Sequence, residues 1–379
     1  KQPNPRSPPQ GRLNGGGIDA YAESKAMNII VIGGGIIGAS VAYHLAVRGA
    51  EVSVLTDGEP GGVATAASFA WINSAAGNAR PYFELRMKAI LDWHRLQNEL
   101  GDRLAINWNG SIAWTHDLDA MESEVAAHAS WGYPTRLISA TEAAAREPAL
   151  YSYPDQVAHS SLEGSLSPSA TAQALLNAAA EHGARINNDG VCAITFQNGR
   201  VTGVATATGL INAEHVVLAA GAACELLAGS VGVALPMANR LGFLAQSAPL
   251  PLTLNGLVLA PDVHMRQNAD GRIIAGADFA GGAAPDDAYA AAEALLASVR
   301  RLLVRGDAVH MERHTLGLRP VPVDGLPVIG PAAQISGLYA TVMHSGVTLA
   351  ALVGRLAAEE ILSAQPIDIL APYRLARFE

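Results

Sequence analysis

Three short stretches of the chain carry residue types that do chemistry. Gly33-x-Gly35-x-x-Gly38 follows directly on the apolar run Ile29-Ile30-Val31-Ile32. In that pattern the first glycine permits a tight turn, the second lets backbone approach a pyrophosphate, and the third lets a helix pack close to the strand. Ile36 and Ile37 open that helix, where exposed N–H groups and the helix dipole hold phosphate charge. Gly317-Leu318-Arg319-Pro320 places a guanidinium in an apolar stretch, and such a group binds a carboxylate through two parallel hydrogen bonds. The alternative for Arg319 is a structural ion pair with an acid such as Asp324. His344-Ser345-Gly346-Val347-Thr348 opens the last long helical stretch, with Ser345-Gly346 reading locally as an N-cap and a turn glycine.

The elements around these residues read as follows. A continuous apolar run of strand length is a strand covered on both faces. A helix then ends near Gly49, and Glu51–Leu55 is a second strand, so the glycines sit in a strand–helix–strand unit that binds a dinucleotide. The acid expected after the second strand, for the ribose hydroxyls, is replaced by Thr56, with Asp57 next. Thr56 offers a hydroxyl and Asp57 a carboxylate to that ribose, and Asp57 before Gly58 also reads as a turn former. The small residues of Val63–Trp71, including Thr65, Ala66 and Ser68, suit backbone pressed against a cofactor. A helix is expected over 81–100, with Leu85, Ile90, Trp93, Leu96 and Leu100 inward. Asn109-Gly110 between Ile106–Trp108 and Ser111–Trp114 predicts a hairpin, with Trp108 and Trp114 in the core of that excursion. Residues 115–150 read as helical and alanine-rich. A helix follows from 168 to 182, then a strand, a glycine-punctuated meander, and the buried strand His215–Leu218 meeting Ala219-Ala220-Gly221-Ala222. Residues 236–314 read as further strands, with a helix near 288–304.

Bulk features fit an enzyme with a large core. The 379 residues exceed one typical domain, and half hydrophobic content with 16% charged residues suits a buried α/β core. The net charge of −9 without a basic run argues against nucleic acid and anionic membranes. Cys192 and Cys224 alone, with no metal-ligand spacing, point to a reducing compartment and a cytoplasmic location. The uncharged stretch from Ile29 to Val47 is a strand plus a helix and cannot cross a bilayer as one segment. Residues 1–26, rich in Pro, Gly, Ser and Asn, read as a tag or a disordered leader.

Taken in order, these motifs resemble the D-amino-acid oxidase superfamily of FAD-dependent amine and amino-acid oxidoreductases. The resemblance covers nearly all of residues 27–379: the glycine fingerprint, Glu163–Pro168, the strand ending Ala219–Ala222, Leu316–Pro320 with Asp324–Pro327, and His344-Ser345-Gly346. It implies an α/β fold, with an FAD-binding Rossmann-like domain interrupted by a sheet-rich α+β substrate domain. The FAD part would comprise 27–100, 151–235 and 315–379, and the substrate part 101–150 and 236–314. Val191 would contact adenine through its backbone, Ala220 and Gly221 would line the cofactor, and Ser345, Gly346, Val347 and Thr348 would face the flavin. A helix start there has a physical reason, since it stabilises negative charge on the reduced ring.

The same resemblance makes Arg319 the residue that holds the substrate carboxylate. The expected reaction is hydride transfer from Cα–H of a small amine or amino acid to flavin N5, giving an imine that hydrolyses. No general base is required, and His344 is the titratable group placed to tune the site, the alternative being that it caps or packs; His264 and Arg266 are weaker candidates, and Trp71 reads as a wall of the pocket or as core. The sarcosine oxidase branch links its flavin to a cysteine near the position of Gly317, so noncovalent FAD is expected here. Thr348 replaces that branch's oxygen-activating lysine, which points to a quinone or electron-transfer protein as acceptor. Alternatives are a 2-hydroxy acid dehydrogenase with the same clamp, or the flavin subunit of a larger dehydrogenase complex.

Overall fold

The computed structural model describes residues 26–378 except 60, 75–77, 239, 252 and 278–281. The expected leader therefore lies, save for Ala26, outside the described residues. The first half runs β1 (Asn28–Ile32), α1 (Ile36–Ala46), β2 (Glu51–Thr56), α2 (Val63–Ala66), β3 (Trp71–Ile72), α3 (Arg80–Leu100), β4 (Ile106–Asn107), β5 (Ser111–Ala113), α4 (Leu118–Ser130), β6 (Thr135–Ser139), α5 (Ala140–Arg146), β7 (Gln156–Ser160) and β8 (Gly164–Leu166). The second half runs α6 (Pro168–Glu181), β9 (Arg185–Asn188), β10 (Val191–Gln197), β11 (Arg200–Thr206), β12 (Leu210–Asn212), β13 (His215–Leu218), α7 (Cys224–Gly229), β14 (Arg240–Ser247), β15 (Leu257–Leu259), β16 (His264–Gln267), β17 (Ile273–Gly276), α8 (Ala288–Leu302), β18 (Met311–Arg319), β19 (Val328–Pro331), β20 (Leu338–Val342) and α9 (Gly346–Ser363).

A six-stranded sheet, in the order β19-β20-β13-β1-β2-β9, forms the nucleotide half. Its strands are parallel except for β19, which runs antiparallel to β20. The apolar run of β1 does what continuous runs do in such sheets and serves both faces. Ile29 and Val31 join the core under α1, α3, α6 and α9, while Ile30 and Ile32 join the core under α7 and the β10-β11-β12 meander. Helices α1 and α9 lie close enough that Ser40 Oγ donates to the Ala350 carbonyl at 2.7 Å. Gly354 makes that approach feasible, since a Cβ there would stand 2.1 Å from Ser40 Oγ.

The second large sheet has eight strands in the order β18-β14-β17-β16-β15-β5-β7-β6, backed by α8. Both β7 and β18 pair within it, so the divisions expected at 150/151 and 314/315 run through this sheet's own strand set. The hairpin expected at Asn109-Gly110 does not form. Gly110 does turn, with φ +78, but β4 pairs with β8 while β5 pairs with β7 and β15. Gly110 N–H donates to the Glu163 carbonyl and its own carbonyl accepts from Leu257 N–H. Those long-range bonds satisfy the turn better than a local ladder would, and the chain passes there from one sheet to another. Trp108 accordingly packs on the core of the six-stranded sheet, stacked on His94, whereas Trp114 joins the eight-stranded one. The 81–100 helix, the alanine-rich helices α4 and α5, and the meander all form.

Gly354→Val tests the α1–α9 contact. Overpacking there should cost about 1–3 kcal/mol, read as a lower midpoint in chemical denaturation at unchanged slope. An unchanged midpoint would show that the helices tolerate a wider separation.

Candidate cofactor and substrate site

The carboxyl ends of four parallel strands open on one cleft of about 450 Å³, lined at Ile32, at Leu55 and Thr56, at Ala219–Ala223, and at Thr341–Met343. Strand ends at a topological switch point are where open α/β sheets hold ligands. Of the residues singled out in the sequence, Gly33, Gly35, Ile36, Ile37, Thr56, Asp57, Thr65, Ser68, Val191, Ala220, Gly221, His344, Gly346 and Val347 line this cleft. Gly38, Ala66, Arg319, Ser345 and Thr348 stand behind or beside its lining. Residues 33–38, 56–59, 61–68, 191, 220–221 and 344–348 thus meet in space although they span most of the sequence.

The glycine loop is shaped by close approach. Gly33 has φ +110, and a Cβ on it would meet the Ala219 carbonyl oxygen at 2.5 Å. A Cβ on Gly38 would fall 1.9 Å from the Gly33 carbonyl, so α1 packs on the turn as tightly as the motif demands. Gly35, the N-cap of α1, differs: a Cβ there would touch only Thr65 Oγ1, at 3.1 Å, and otherwise enter the cleft. Thr65 Oγ1 accepts the Ile36 N–H at 3.1 Å, which fixes the helix start and leaves neighbouring N–H groups facing the opening. This geometry fits a pyrophosphate against Gly35.

Beyond β2 the two ribose candidates separate. The Thr56 hydroxyl donates to the Gly58 carbonyl at 2.9 Å, and its methyl sits beneath Gly34. Asp57 is exposed, with its carboxyl beside Gly190, the residue before Val191. Glu59, which the sequence reading passed over, also lines the cleft. The only signal for it is a second acid two residues after Asp57.

At the other end, α9 points its N-terminus into the cleft through Gly346 and Val347. Ser345 makes no side-chain cap, so the first N–H groups of α9 are left for a ligand. Trp93 Nε1 donates to the Val347 and Thr348 carbonyls and pins this turn. Thr348 is buried, with its hydroxyl donating to the Trp71 carbonyl at 3.2 Å, so it ties β3 to α9 rather than facing the cleft. His344 faces the opening, and the protein packed around it, with Arg319, Arg86 and Arg240, pushes its ring down to about 4. It is neutral at physiological pH.

Arg319 ends β18 between Leu318 and Pro320, both of which line the cleft. Asp324, the alternative partner, is gripped by Arg377 through Nε and Nη2 at 2.6 and 3.1 Å. Among the weaker candidates, Arg266 is buried against the Phe69 ring, donates to the Phe69 carbonyl, and is pushed down to about 9 by burial. Burial likewise lowers His264 to about 4. Trp71 packs on Leu244, Leu257 and Ile274, with Nε1 donating to Glu163 at 2.7 Å. Glu163 is buried and also accepts from Tyr133 OH at 2.6 Å and from Ser111. The sequence marked Glu163 only as the start of a family segment.

Two outcomes check this geometry. Gly35→Val should yield folded protein with little FAD, measured as the flavin-to-protein ratio after purification. The His344 ring, depressed in the folded protein, gives no ionisation between pH 6 and 8. A turnover profile should therefore lack an inflection near 6.5 that vanishes in His344→Gln, and finding one would contradict the assignment.

Comparison with known proteins bears on what occupies the cleft. The chain is 26% identical to hydrogen cyanide synthase subunit HcnC of Pseudomonas aeruginosa, covering 94% of this chain and 97% of that one. It is 29% identical to glycine oxidase of Pseudomonas putida, over 91% and 97%. The crystal structure of glycine oxidase from Geobacillus kaustophilus superposes with a TM-score of 0.83 at 24% identity, covering 92% and 98%. Among the described residues no helix is long and apolar enough to cross a membrane. A family model described as FAD dependent oxidoreductase matches residues 28–360, and the chain belongs to that family of FAD-dependent oxidoreductases.

Proposed function

We propose that this enzyme oxidises the C–N bond of a small amine or amino acid carrying a carboxylate, giving an imine that hydrolyses in water. One observation carries the reading: the strand that ends in Arg319 lines, through Leu318 and Pro320, the same cleft as the glycine loop and the α9 N-terminus. The relatives named glycine oxidase support a small amino acid as substrate.

FAD bound in the cleft would supply the acceptor for the hydride that leaves Cα. The protein's share is orientation and charge. Gly35 and the first turn of α1 would hold the pyrophosphate, Asp57 and Val191 the adenosine end, and Gly346 and Val347 the ring edge where negative charge develops. Arg319 would fix the carboxylate and so aim Cα–H at the ring. Neutral His344 adds no charge that would repel a substrate ammonium or compete with Arg319. As the C–H bond breaks, the nitrogen lone pair forms the C=N bond and the N–H proton passes to solvent. No residue of the described chain need act as a base.

The remaining readings follow the same residues. Among the described residues no cysteine lines the cleft, so the flavin should be noncovalent, and acid precipitation should leave all FAD in the supernatant. Thr348, tied to Trp71, offers no cation for oxygen activation, which favours a quinone or electron-transfer protein as acceptor. Free, reduced Cys192 and Cys224 suit the cytoplasm.

Anaerobic titration with an amine and amino-acid panel tests the reaction: at least one member should bleach the flavin stoichiometrically. Arg319→Leu should keep its FAD and lose on the order of 3–5 kcal/mol in kcat/KM on a carboxylate substrate. Arg319→Lys should recover only part of that, since an ammonium cannot form the fork. Activity of Arg319→Leu within a few-fold of the parent would make Arg319 structural.

A further inference from the structure

A second cavity, of about 300 Å³, shares no residue with the cofactor cleft. It lies where α5 ends, against β5, β7 and the turn into β15, with Asn109, Arg146, Glu147, His159 and Asn255 in its lining. Two titratable side chains are sealed into its wall: Glu147 is 2% exposed and His159 5%. The oxidation proposed above uses neither.

The Glu147 carboxylate is held by backbone alone. It accepts the Asn255 N–H at 3.1 Å on Oε1 and 2.8 Å on Oε2, and the Gly256 N–H at 3.0 Å on Oε2. Those three contacts leave room among its roughly four lone-pair sites. No cation of the described residues touches it, because neighbouring Arg146 turns Nε and Nη2 to Glu142 at 3.2 and 3.0 Å. A buried carboxylate without a counter-charge is costly, and burial pushes this carboxyl up to about 7. The backbone donors at the surrounding turns are spent: Asn109 N–H on Asn107 Oδ1, Gly110 N–H on the Glu163 carbonyl, Leu257 N–H on the Gly110 carbonyl. What stays unfilled is mostly acceptor. Asn109 and Asn255 each donate through Nδ2, to the Asn255 and Arg146 carbonyls, while their Oδ1 atoms accept nothing among the described residues. The His159 ring makes no hydrogen bond to any described residue, and burial, followed by Arg146 and Arg136, lowers its pKa.

We propose that this cavity is a second binding site, taking a small primary ammonium whose charge meets the Glu147 carboxylate, with His159 as a further acceptor in the same wall. An ammonium brings three donors and no acceptor, which matches a lining rich in unfilled acceptors. Ile112 and Leu257, also in the lining, cover a short alkyl chain. Arg146 is already taken by Glu142, so the site suits an amine without a carboxylate. Among the groups around it, Glu147 is the one that changes charge near pH 7. Arg136 and Arg146 hold Glu142 down to about 2, and burial pushes Tyr153, in the loop after α5, up to about 12. Above about 7 the Glu147 carboxylate is ionised and pairs with the ammonium; below it the carboxyl is neutral and the pairing is lost.

The test is calorimetric titration of the FAD-loaded enzyme with n-butylammonium, with the visible flavin spectrum followed alongside so that occupancy of the cleft is seen separately. Saturable heat without a spectral change is expected, with a dissociation constant of about 1 mM or below and 1-butanol binding about tenfold more weakly. A proton and the ammonium compete for one carboxylate, so affinity should fall about tenfold from pH 8 to pH 6. Glu147→Gln should abolish the saturable heat at unchanged flavin content. His159→Leu, which leaves the Glu147 bonds to Asn255 and Gly256 in place, should weaken binding several-fold. If Glu147→Gln does not fold, the pH dependence of the parent decides. No saturable heat in the parent, equal binding of 1-butanol, or an affinity independent of pH overturns the proposal. So does heat that always accompanies a flavin change, which puts the amine in the cofactor cleft.

Discussion

Two helices with their positive ends directed into one cleft are the arrangement on which the rest of the structure depends. α1 follows β1 and α9 follows β20, both at the carboxyl edge of the parallel sheet, and both leave first-turn N–H groups facing the opening. Setting such ends side by side is unfavourable without negative charge between them. An extended dinucleotide would answer both at once, with a pyrophosphate for α1 and a ring that becomes negative on reduction for α9.

Close packing holds that arrangement in place. Gly33 and Gly38 bring α1 onto the strand ends, and Ser40 with Gly354 locks α9 against α1. Trp93 fastens the first turn of α9, while Thr348 ties it to β3. The segment that runs from α2 into β3 is gripped from the other side: Arg266 takes the Phe69 carbonyl and Glu163 takes the Trp71 indole. Ala70 within it sits at φ +58, a conformation that non-glycine residues hold only when their surroundings impose it. The junction of the two sheets is therefore stiff, as a site that works by orientation requires.

Much of this was legible in the sequence where chemistry and local geometry coincide. The fingerprint needs glycine at fixed spacing for steric reasons, and the continuous apolar runs of β1 and β13 declare buried strands. Long-range pairing was not legible. Asn109-Gly110 has strong local hairpin character, yet Glu163 and Leu257 claim its backbone from far away in sequence. The roles of Thr56 and Thr348 were hidden for the same reason. A hydroxyl's partner depends on which carbonyl the fold brings near, and here those are Gly58 and Trp71. Glu163 gave no local sign of its three donors, which come from β3, β5 and the loop before β6.

With FAD across both ends of the cleft, the adenosine half would lie against Gly35, Asp57 and Val191. Calorimetric titration of the apoprotein with FAD, FMN and ADP addresses this placement most directly. FAD should bind far more tightly than FMN, and ADP should compete with FAD, if the glycine loop holds the half that FMN lacks. Equal affinity for FMN and FAD, or no competition by ADP, would contradict it.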